Sequence, residues 1–118
     1  MKKKTIDYIL IEKMIMNLDS PYIAKLICTK KDPKKVYFIM EYFKNGDLFN
    51  YLNQFKFFNE DTAKFIMIQV YHALNFLHSK NIIYRDLKPE NIMISDDGFI
   101  RLIDFGLSKQ LKDGDETV

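Results

Sequence analysis

A loop of eight residues, from Tyr84 to Asn91, carries three side chains whose chemistry suits phosphoryl transfer. Asp86 supplies a carboxylate that can orient or deprotonate a hydroxyl nucleophile. Lys88 supplies a cation that can neutralise charge on a transferring phosphate, and Asn91 offers a neutral oxygen to a metal ion. Further along the chain comes the tripeptide Asp104-Phe105-Gly106. The two motifs in this order are far more specific than either one alone.

The residues between these two motifs predict a β-hairpin. Two apolar runs, at 92–95 and 99–103, flank the tripeptide Asp96-Asp97-Gly98. Asp and Gly tolerate the positive φ that tight hairpin turns require. The hairpin would therefore carry one motif at each of its ends. A purely structural loop would not need all four polar side chains of the two motifs at these spacings.

A long helix is predicted before the loop. Asn59 can cap its first turn, and Glu60 and Asp61 favour the positive end of the helix dipole. Apolar residues then recur at three- and four-residue steps as far as about residue 80. Its other faces are also apolar, so we expect the helix to be buried on most sides. It would need neighbours that these 118 residues do not supply, which predicts a large exposed apolar patch.

Shorter elements are predicted on the N-terminal side of that helix. Thr5 can cap a helix that runs to about residue 18 and ends at Asp19-Ser20-Pro21. Two strands follow, at 23–29 and 36–42, and the second is apolar enough to predict a buried strand. A short helix over 47–54 completes the N-terminal part of the chain.

Composition limits the class of protein. Of the 118 residues, 47% are hydrophobic, which is enough for one modest core and argues against disorder. A net charge of +2 is too small to indicate nucleic-acid binding. The single cysteine, Cys28, cannot form an internal disulfide, which favours a reducing compartment. No apolar stretch approaches the roughly 18 residues that span a membrane. We therefore expect an intracellular, cytoplasmic protein with no membrane span and no nucleic-acid partner.

The two motifs together resemble the catalytic loop and the metal-binding motif of eukaryotic protein kinases. Lys88, within Leu87-Lys88-Pro89-Glu90-Asn91, is the form seen in serine/threonine kinases. Tyr84 stands where histidine is usual, and this tyrosine is typical of the AGC group, which contains the cyclic-nucleotide-dependent kinases and protein kinase C. The runs at 36–42, 46–49 and 77–83 look like the same group. The resemblance extends from about Glu12 to Lys109.

This resemblance implies a partial protein kinase-like fold of the α+β class. Residues 1–42 would be the end of the small lobe, 43–46 the hinge, and 47–118 the first half of the large lobe. The implied activity is transfer of the ATP γ-phosphate to serine or threonine hydroxyls of protein substrates, with Mg²⁺. The resemblance leaves the oligomeric state open.

The resemblance also implies roles for individual residues around the phosphates. Asp86 would be the catalytic base, and Lys88 would contact the transferring phosphate. Asn91 and Asp104 would hold Mg²⁺ between the phosphates of the nucleotide. Glu12 matches the helix glutamate whose partner is a phosphate-binding lysine.

Further residues would contact the adenosine part of ATP or the protein substrate. Met40 matches the gatekeeper behind the adenine, the backbones of Glu41 and Phe43 would bond its edge, and Met93 would pack beneath it. Two acidic residues would act at the rim of the site. Asp47 would meet the ribose or a basic substrate side chain, and Glu90 would recognise arginine N-terminal to the acceptor hydroxyl. The residues implied to stack into an apolar spine are Met16, Leu26, Tyr84 and Phe105.

Several of these roles have a structural alternative. Asp104 alone could be a turn residue, and Glu12 alone could be a surface charge. By composition, Met40 and Met93 would simply be core residues.

Two parts of a complete kinase domain are not found in the sequence. The four glycines cannot form a G-x-G-x-x-G loop. The lysine partner of Glu12 would lie upstream of this sequence. Lys2 is a conceivable substitute, although only ten residues separate it from Glu12. The usual phosphorylated threonine would be at or just beyond Thr117. Two hypotheses follow. The chain is a segment of an active serine/threonine kinase, or it is a catalytically incomplete kinase-like fragment or pseudokinase that acts as a binding module.

Overall fold

The computed structural model describes residues 2–115, which form an α+β fold. Its helices are α1 (Lys3–Met16), α2 (Leu48–Phe55), α3 (Glu60–Ser79) and a short 3₁₀ turn (Pro89–Asn91). Its strands are β1 (Leu26–Lys31), β2 (Val36–Met40), β3 (Ile82–Ile83), β4 (Ile92–Ile94), β5 (Ile100–Leu102) and β6 (Lys109–Gln110). The strands pair as the antiparallel ladders β1–β2, β3–β6 and β4–β5.

The β4–β5 hairpin confirms the turn predicted at Asp96-Asp97-Gly98. Gly98 has a φ of 82°, a conformation that the lack of a Cβ permits. The Asp97 carboxylate accepts a hydrogen bond from the Phe99 amide at 2.9 Å, and Ser95 donates to the Phe99 carbonyl at 2.9 Å. The ladder pairs Ile92 with Leu102, so the eight-residue loop and Asp104 lie at the same end of the hairpin.

Helix α3 supports the hairpin from one side. The Asn59 side chain accepts a hydrogen bond from the Thr62 amide at 2.8 Å, which confirms the predicted N-cap. The carbonyl oxygen of the buried Gln69 side chain accepts the Ile100 amide at 2.8 Å and so joins α3 to β5. The buried residues of the helix form one stripe: Ile66, Gln69, Val70, Ala73 and Leu77.

One hydrophobic core joins the end of α1, the stripe of α3 and both motif segments. Ile15 and Met16 lie in it with Leu77, and the two motif segments contribute Tyr84 and Phe105. Each of these side chains is almost fully buried. The core therefore fixes the positions of the loop and the tripeptide relative to α1.

Helix α1 begins and ends earlier than the sequence predicts. Lys2 occupies the N-cap position and makes no side-chain cap, so Thr5 lies inside the first turn. The helix ends at Met16 rather than at residue 18, because the Asn17 amide bonds back to carbonyls of its last turn. The prediction that Thr5 caps this helix was wrong.

The first strand begins three residues later than the sequence predicts. Ile23 and Ala24 lie outside β1, because their segment bonds to the end of β5. Ala24 donates to the Leu102 carbonyl at 3.0 Å, and Leu102 donates to the Tyr22 carbonyl at 2.7 Å. This short parallel pairing, with Ile23 beside Leu102, links the segment after α1 to the hairpin.

The second strand is shorter than predicted and is not fully buried. It ends at Met40, and its side chains alternate between half-buried and exposed. Tyr37 and Ile39 are exposed, and Tyr42 beyond the strand is 88% exposed. Within residues 2–115 this strand has only β1 as a ladder partner, so its other edge is unpaired, and the exposed Tyr37 and Ile39 show that one face of the pair is uncovered.

Helix α3 is buried on one side only, which corrects the expectation of burial on most sides. The expected apolar patch is present, because Phe65, Met67, Ile68 and Tyr71 are all exposed. In the described part of the chain, no helix combines the length and apolar content that crossing a membrane requires.

We expect the isolated 118-residue polypeptide to self-associate through this exposed face of α3. Replacing two of its side chains with charged ones, Ile68→Glu and Tyr71→Lys, should raise the monomer fraction in size-exclusion chromatography with light scattering. The control Val70→Glu places a charge in the core, where the side chain is 3% exposed, and should unfold the chain instead. A monodisperse monomer with a cooperative thermal transition, formed by the unaltered polypeptide, would contradict this expectation.

Candidate functional site

Tyr84 anchors the start of the loop in the core. Its ring is 1% exposed, and its centroid lies 5.5 Å from that of Phe105. Its hydroxyl donates to the Ile103 carbonyl, and its own carbonyl accepts the Ser108 hydroxyl at 3.2 Å. The side chain and carbonyl of Tyr84 therefore tie the loop to both sides of the Asp-Phe-Gly motif.

The electrostatics of the Tyr84 hydroxyl reflect the positions of the motif carboxylates. Burial raises the pKa of this hydroxyl, and the negative charges of Asp104 and Asp86 add to the shift. A hydrogen bond with the Asn91 side chain lowers this pKa and so opposes the shift. The hydroxyl therefore stays protonated as a donor, and both motif carboxylates lie close enough to act on it.

Asp86, Lys88 and Asn91 form one connected group. The Lys88 Nζ atom lies 3.3 Å from Asp86 Oδ1. The Asn91 Nδ2 atom donates both to Asp86 Oδ2 and to the Asp86 carbonyl, each at 3.0 Å. The Asn91 amide donates to the Lys88 carbonyl at 3.0 Å. The Asp86 carboxylate is thus held on both oxygens, and its side chain is 18% exposed.

Asp104 joins this group through the backbone next to it. The Ile103 amide donates to the Asn91 carbonyl at 3.1 Å, which places Asp104 beside the loop. Asp104 has a φ of 59°, in the left-handed region that Asp tolerates better than most residues. Its Oδ1 atom accepts the Gly106 amide at 3.3 Å. The sequence-predicted group of Asp86, Lys88, Asn91 and Asp104 is therefore one cluster.

Arg85 also adopts the left-handed conformation, with a φ of 66°. For a long side chain this costs roughly 1 kcal/mol and has to be held by the surroundings. Its Nε atom donates to the Leu107 carbonyl at 2.7 Å, which holds the residue against the segment after Gly106. Strained backbone therefore occurs in both motifs of the site.

The donor set of the site fits a hard cation such as Mg²⁺. Asn91 turns its amide nitrogen toward Asp86, which leaves its amide oxygen for a ligand. Asp104 is exposed and offers a carboxylate. Oxygen donors of these two kinds suit Mg²⁺, which completes its shell with water and phosphate. Within residues 2–115 there is no group of three His, Cys, Asp or Glu side chains that would form a protein-only metal site.

Glu12 faces the Asp-Phe-Gly motif from α1. Burial raises the pKa of its carboxyl, the charge of Asp104 raises it further, and a hydrogen bond from the Phe105 amide lowers it. Glu12 forms no salt bridge within residues 2–115. Lys2 does not supply one, because a step of ten residues along α1 places the two Cα atoms about 15 Å apart. Glu12 is therefore not a simple surface charge, and its cation is not Lys2.

A connecting segment, residues 41–47, runs beside β4. The Glu41 amide donates to the Lys25 carbonyl at 3.3 Å, and Phe43 is buried. The Gly46 carbonyl accepts the Ile94 amide at 3.0 Å, and Asp47 bridges to Met93. The half-buried Met40 packs against the core. Of the residues predicted to hold the adenine, Glu41, Phe43 and Met93 therefore lie along the connecting segment and β4, and Met40 lies at the end of β2 just before them.

Asp47 and Glu90 differ in how free their carboxylates are. Asp47 caps α2, because its Oδ1 accepts the Asn50 amide at 2.8 Å and its Oδ2 accepts the Asn50 side chain at 3.2 Å. The sequence places this residue inside the helix, and the structure makes it the N-cap. Glu90 lies exposed in the 3₁₀ turn between Pro89 and Asn91. Thr117 lies outside the described residues.

Arg101 is a polar residue of this region that the sequence did not predict. It lies in β5 opposite Met93, and its Nε atom is 3.9 Å from Glu41 Oε1. A usable signal was present, since Arg101 is the one charged residue in the apolar run Ile100-Arg101-Leu102-Ile103.

Comparison with known proteins decides the family. The model of the protein kinase domain matches residues 1–118. The chain belongs to the protein kinase family. The α+β fold described above is accordingly a partial kinase fold, and the relatives place this kinase segment in the AGC group.

Several relatives carry kinase names. The chain is 47% identical over 104 residues to "Developmentally-regulated protein kinase 1" of Dictyostelium discoideum, an overlap of 88% of this chain and 15% of that protein. It is 38% identical over 107 residues to a "cAMP-dependent protein kinase, catalytic subunit-like" of Caenorhabditis elegans, an overlap of 91% of this chain and 27% of that protein. It is 40% identical over 111 residues to human "3-phosphoinositide-dependent protein kinase 1", an overlap of 93% of this chain and 20% of that protein. The kinase segment spans less than a third of each of these relatives.

We expect Tyr84→Phe, in the full-length protein that carries this segment, to lower the free energy of unfolding by about 1 kcal/mol. The variant keeps the ring contact with Phe105 and removes the donor to the half-buried Ile103 carbonyl. Urea denaturation measures the loss. The matched control Tyr71→Phe changes an exposed tyrosine and should have no effect. Equal stability of both variants would show that the hydroxyl does not support the loop.

Proposed function

We propose that the protein carrying this segment is a serine/threonine protein kinase that transfers the ATP γ-phosphate to hydroxyls of protein substrates. The observation that carries the proposal is the group formed by Asp86, Lys88 and Asn91, in which one carboxylate is held on both oxygens. Phosphoryl transfer depends on positioning and charge stabilisation more than on covalent chemistry, so such a group suits it. Residues 1–42 would then belong to the small lobe, 43–46 to the hinge and 47–118 to the large lobe.

In this proposal Asp86 accepts the proton of the substrate hydroxyl. The hydrogen bond from Asn91 orients the Asp86 carboxylate. Because the Asp86 side chain is partly buried, water competes less with the substrate hydroxyl for this carboxylate. Lys88 lies 3.3 Å away on a side chain that is 45% exposed, so it can reach an incoming phosphate. It would stabilise the charge on the transferring group.

Asn91 and Asp104 would hold Mg²⁺. When bound, the ion would neutralise charge on the phosphates of ATP. The hydrogen bond from Ile103 to the Asn91 carbonyl keeps these two residues in register with each other. Glu12, which faces Asp104 and Phe105 from α1, would position this segment and receive the phosphate-binding lysine.

The adenosine part of ATP would lie along the connecting segment. Met40 would stand behind the adenine, Met93 beneath it, and the backbones of Glu41 and Phe43 would bond its edge. Asp47 retains acceptor capacity beyond its capping bonds and would meet the ribose or a basic side chain. A single cysteine that cannot form an internal disulfide supports an intracellular setting for this reaction.

We expect Asp86→Ala in the full-length protein to abolish phosphoryl transfer while ATP affinity stays within about threefold of wild type, because the carboxylate acts on the hydroxyl rather than on the nucleotide. Phosphate transfer to a serine peptide and ATP titration by calorimetry measure the two effects. Asp61→Ala removes an exposed carboxylate from α3 and serves as the matched control. Transfer by Asp86→Ala at near wild-type rate would contradict the role of Asp86. A wild-type protein that binds ATP without transferring phosphate would favour the binding-module hypothesis.

We also propose that the protein prefers substrates with basic residues N-terminal to the acceptor. Glu90 is exposed beside Asn91, so its carboxylate can pair with an arginine of the substrate. Glu90→Gln should therefore reduce the preference for arginine in a peptide-library screen by about three- to tenfold and leave activity on neutral peptides unchanged. Glu60→Gln, at an exposed site on α3, is the control. A wild-type screen without any basic preference would remove this proposal.

A further inference from the structure

Arg101 lies on the face of the β4–β5 hairpin opposite to the core. In the ladder Ile92 pairs with Leu102, and both are buried. Side chains alternate between faces along a strand, so Met93 and Arg101, which pair with each other, share the other face. Arg101 therefore places a permanent positive charge on the same face as the residue proposed to pack beneath adenine.

The Glu41 carboxylate has one oxygen that needs this charge. Glu41 Oε1 is inaccessible to solvent and has no hydrogen-bond partner among residues 2–115. The nearest cation is Arg101, whose Nε atom lies 3.9 Å away. A buried carboxylate oxygen without a hydrogen bond is costly, and a nearby guanidinium offsets part of that cost. The side chain as a whole is 37% exposed, so the other oxygen still reaches solvent.

The Arg101 guanidinium is held from its other side as well. Its Nη2 atom lies 3.0 Å from Asp97 Oδ2, and its Nη1 donates to the Ile100 carbonyl at 3.0 Å. The Arg101 side chain is 15% exposed. These two contacts within the hairpin hold the guanidinium in place. The position of its Nε atom beside Glu41 is therefore fixed as well.

We propose that Arg101 is a positioning residue that holds the start of the connecting segment against the hairpin through Glu41, and thereby sets nucleotide affinity. The inference rests on the proposed function, in which the backbones of Glu41 and Phe43 bond the adenine edge. The far end of the segment is already tied to β4 by the bond between Gly46 and Ile94. The pair formed by Arg101 and Glu41 supplies the corresponding link at the near end.

The test measures ATP affinity by calorimetry and KM and kcat by peptide phosphorylation, in the full-length protein. Arg101→Met keeps the length of the side chain and removes its charge. We expect it to raise the Kd and KM for ATP about fivefold and to leave kcat within about twofold. Glu41→Gln removes the other partner of the pair, so alone or added to Arg101→Met it should give a similar loss of affinity, because the link is already broken. Arg101→Lys keeps the charge but loses the planar guanidinium. Its KM for ATP should therefore lie between those of wild type and Arg101→Met.

The matched control is Asp96→Asn. Asp96 links the same two segments through Lys44, at a distance of 3.7 Å, but both side chains are about two-thirds exposed. Exposed pairs contribute little, so this variant should keep the wild-type KM. An unchanged affinity in Arg101→Met, or losses from Arg101→Met and Glu41→Gln that add up in the double variant, would overturn the inference. So would a wild-type protein that does not bind ATP, whereas binding without phosphate transfer would overturn only the proposed function.

Discussion

The hydrogen bonds of Asn91 hold the candidate site together. Its side chain fixes the Asp86 carboxylate and carbonyl, its amide bonds to the Lys88 carbonyl, and its own carbonyl receives the amide of Ile103. One buried residue thus joins a carboxylate, a cation and the strand that leads into Asp104. A single buried amide can do this because it carries donors and acceptors on both side chain and backbone.

The surrounding fold keeps that residue in place. Helix α3 supports β5 through the buried Gln69, and Tyr84 and Phe105 bring the two motifs into one core. The segment after α1 bonds to the end of β5, so α1 and its Glu12 are held relative to the same hairpin. The short hairpin is consequently the scaffold against which both motif segments, α3 and the segment after α1 are held.

The features that the sequence predicts correctly are local. The cap at Asn59, the turn at Gly98 and the grouping of Asp86, Lys88 and Asn91 on one loop each depend on residues at most five positions apart, and the structure contains all three. The features that the sequence does not predict depend on contacts between distant parts of the chain. The pairing of Ala24 with Leu102 shortened the first strand. The contact of Arg101 with Glu41 joins residues sixty positions apart, which no local pattern encodes.

The most direct test of the account is phosphate transfer by the full-length wild-type protein, with γ-labelled ATP and Mg²⁺ and paired peptides that differ only in serine or tyrosine as acceptor. We expect label on the serine peptide, none on the tyrosine peptide, and loss of labelling when the metal is chelated. ATP binding without labelling of either peptide would contradict it, because the group around Asp86 would then be intact but not catalytic.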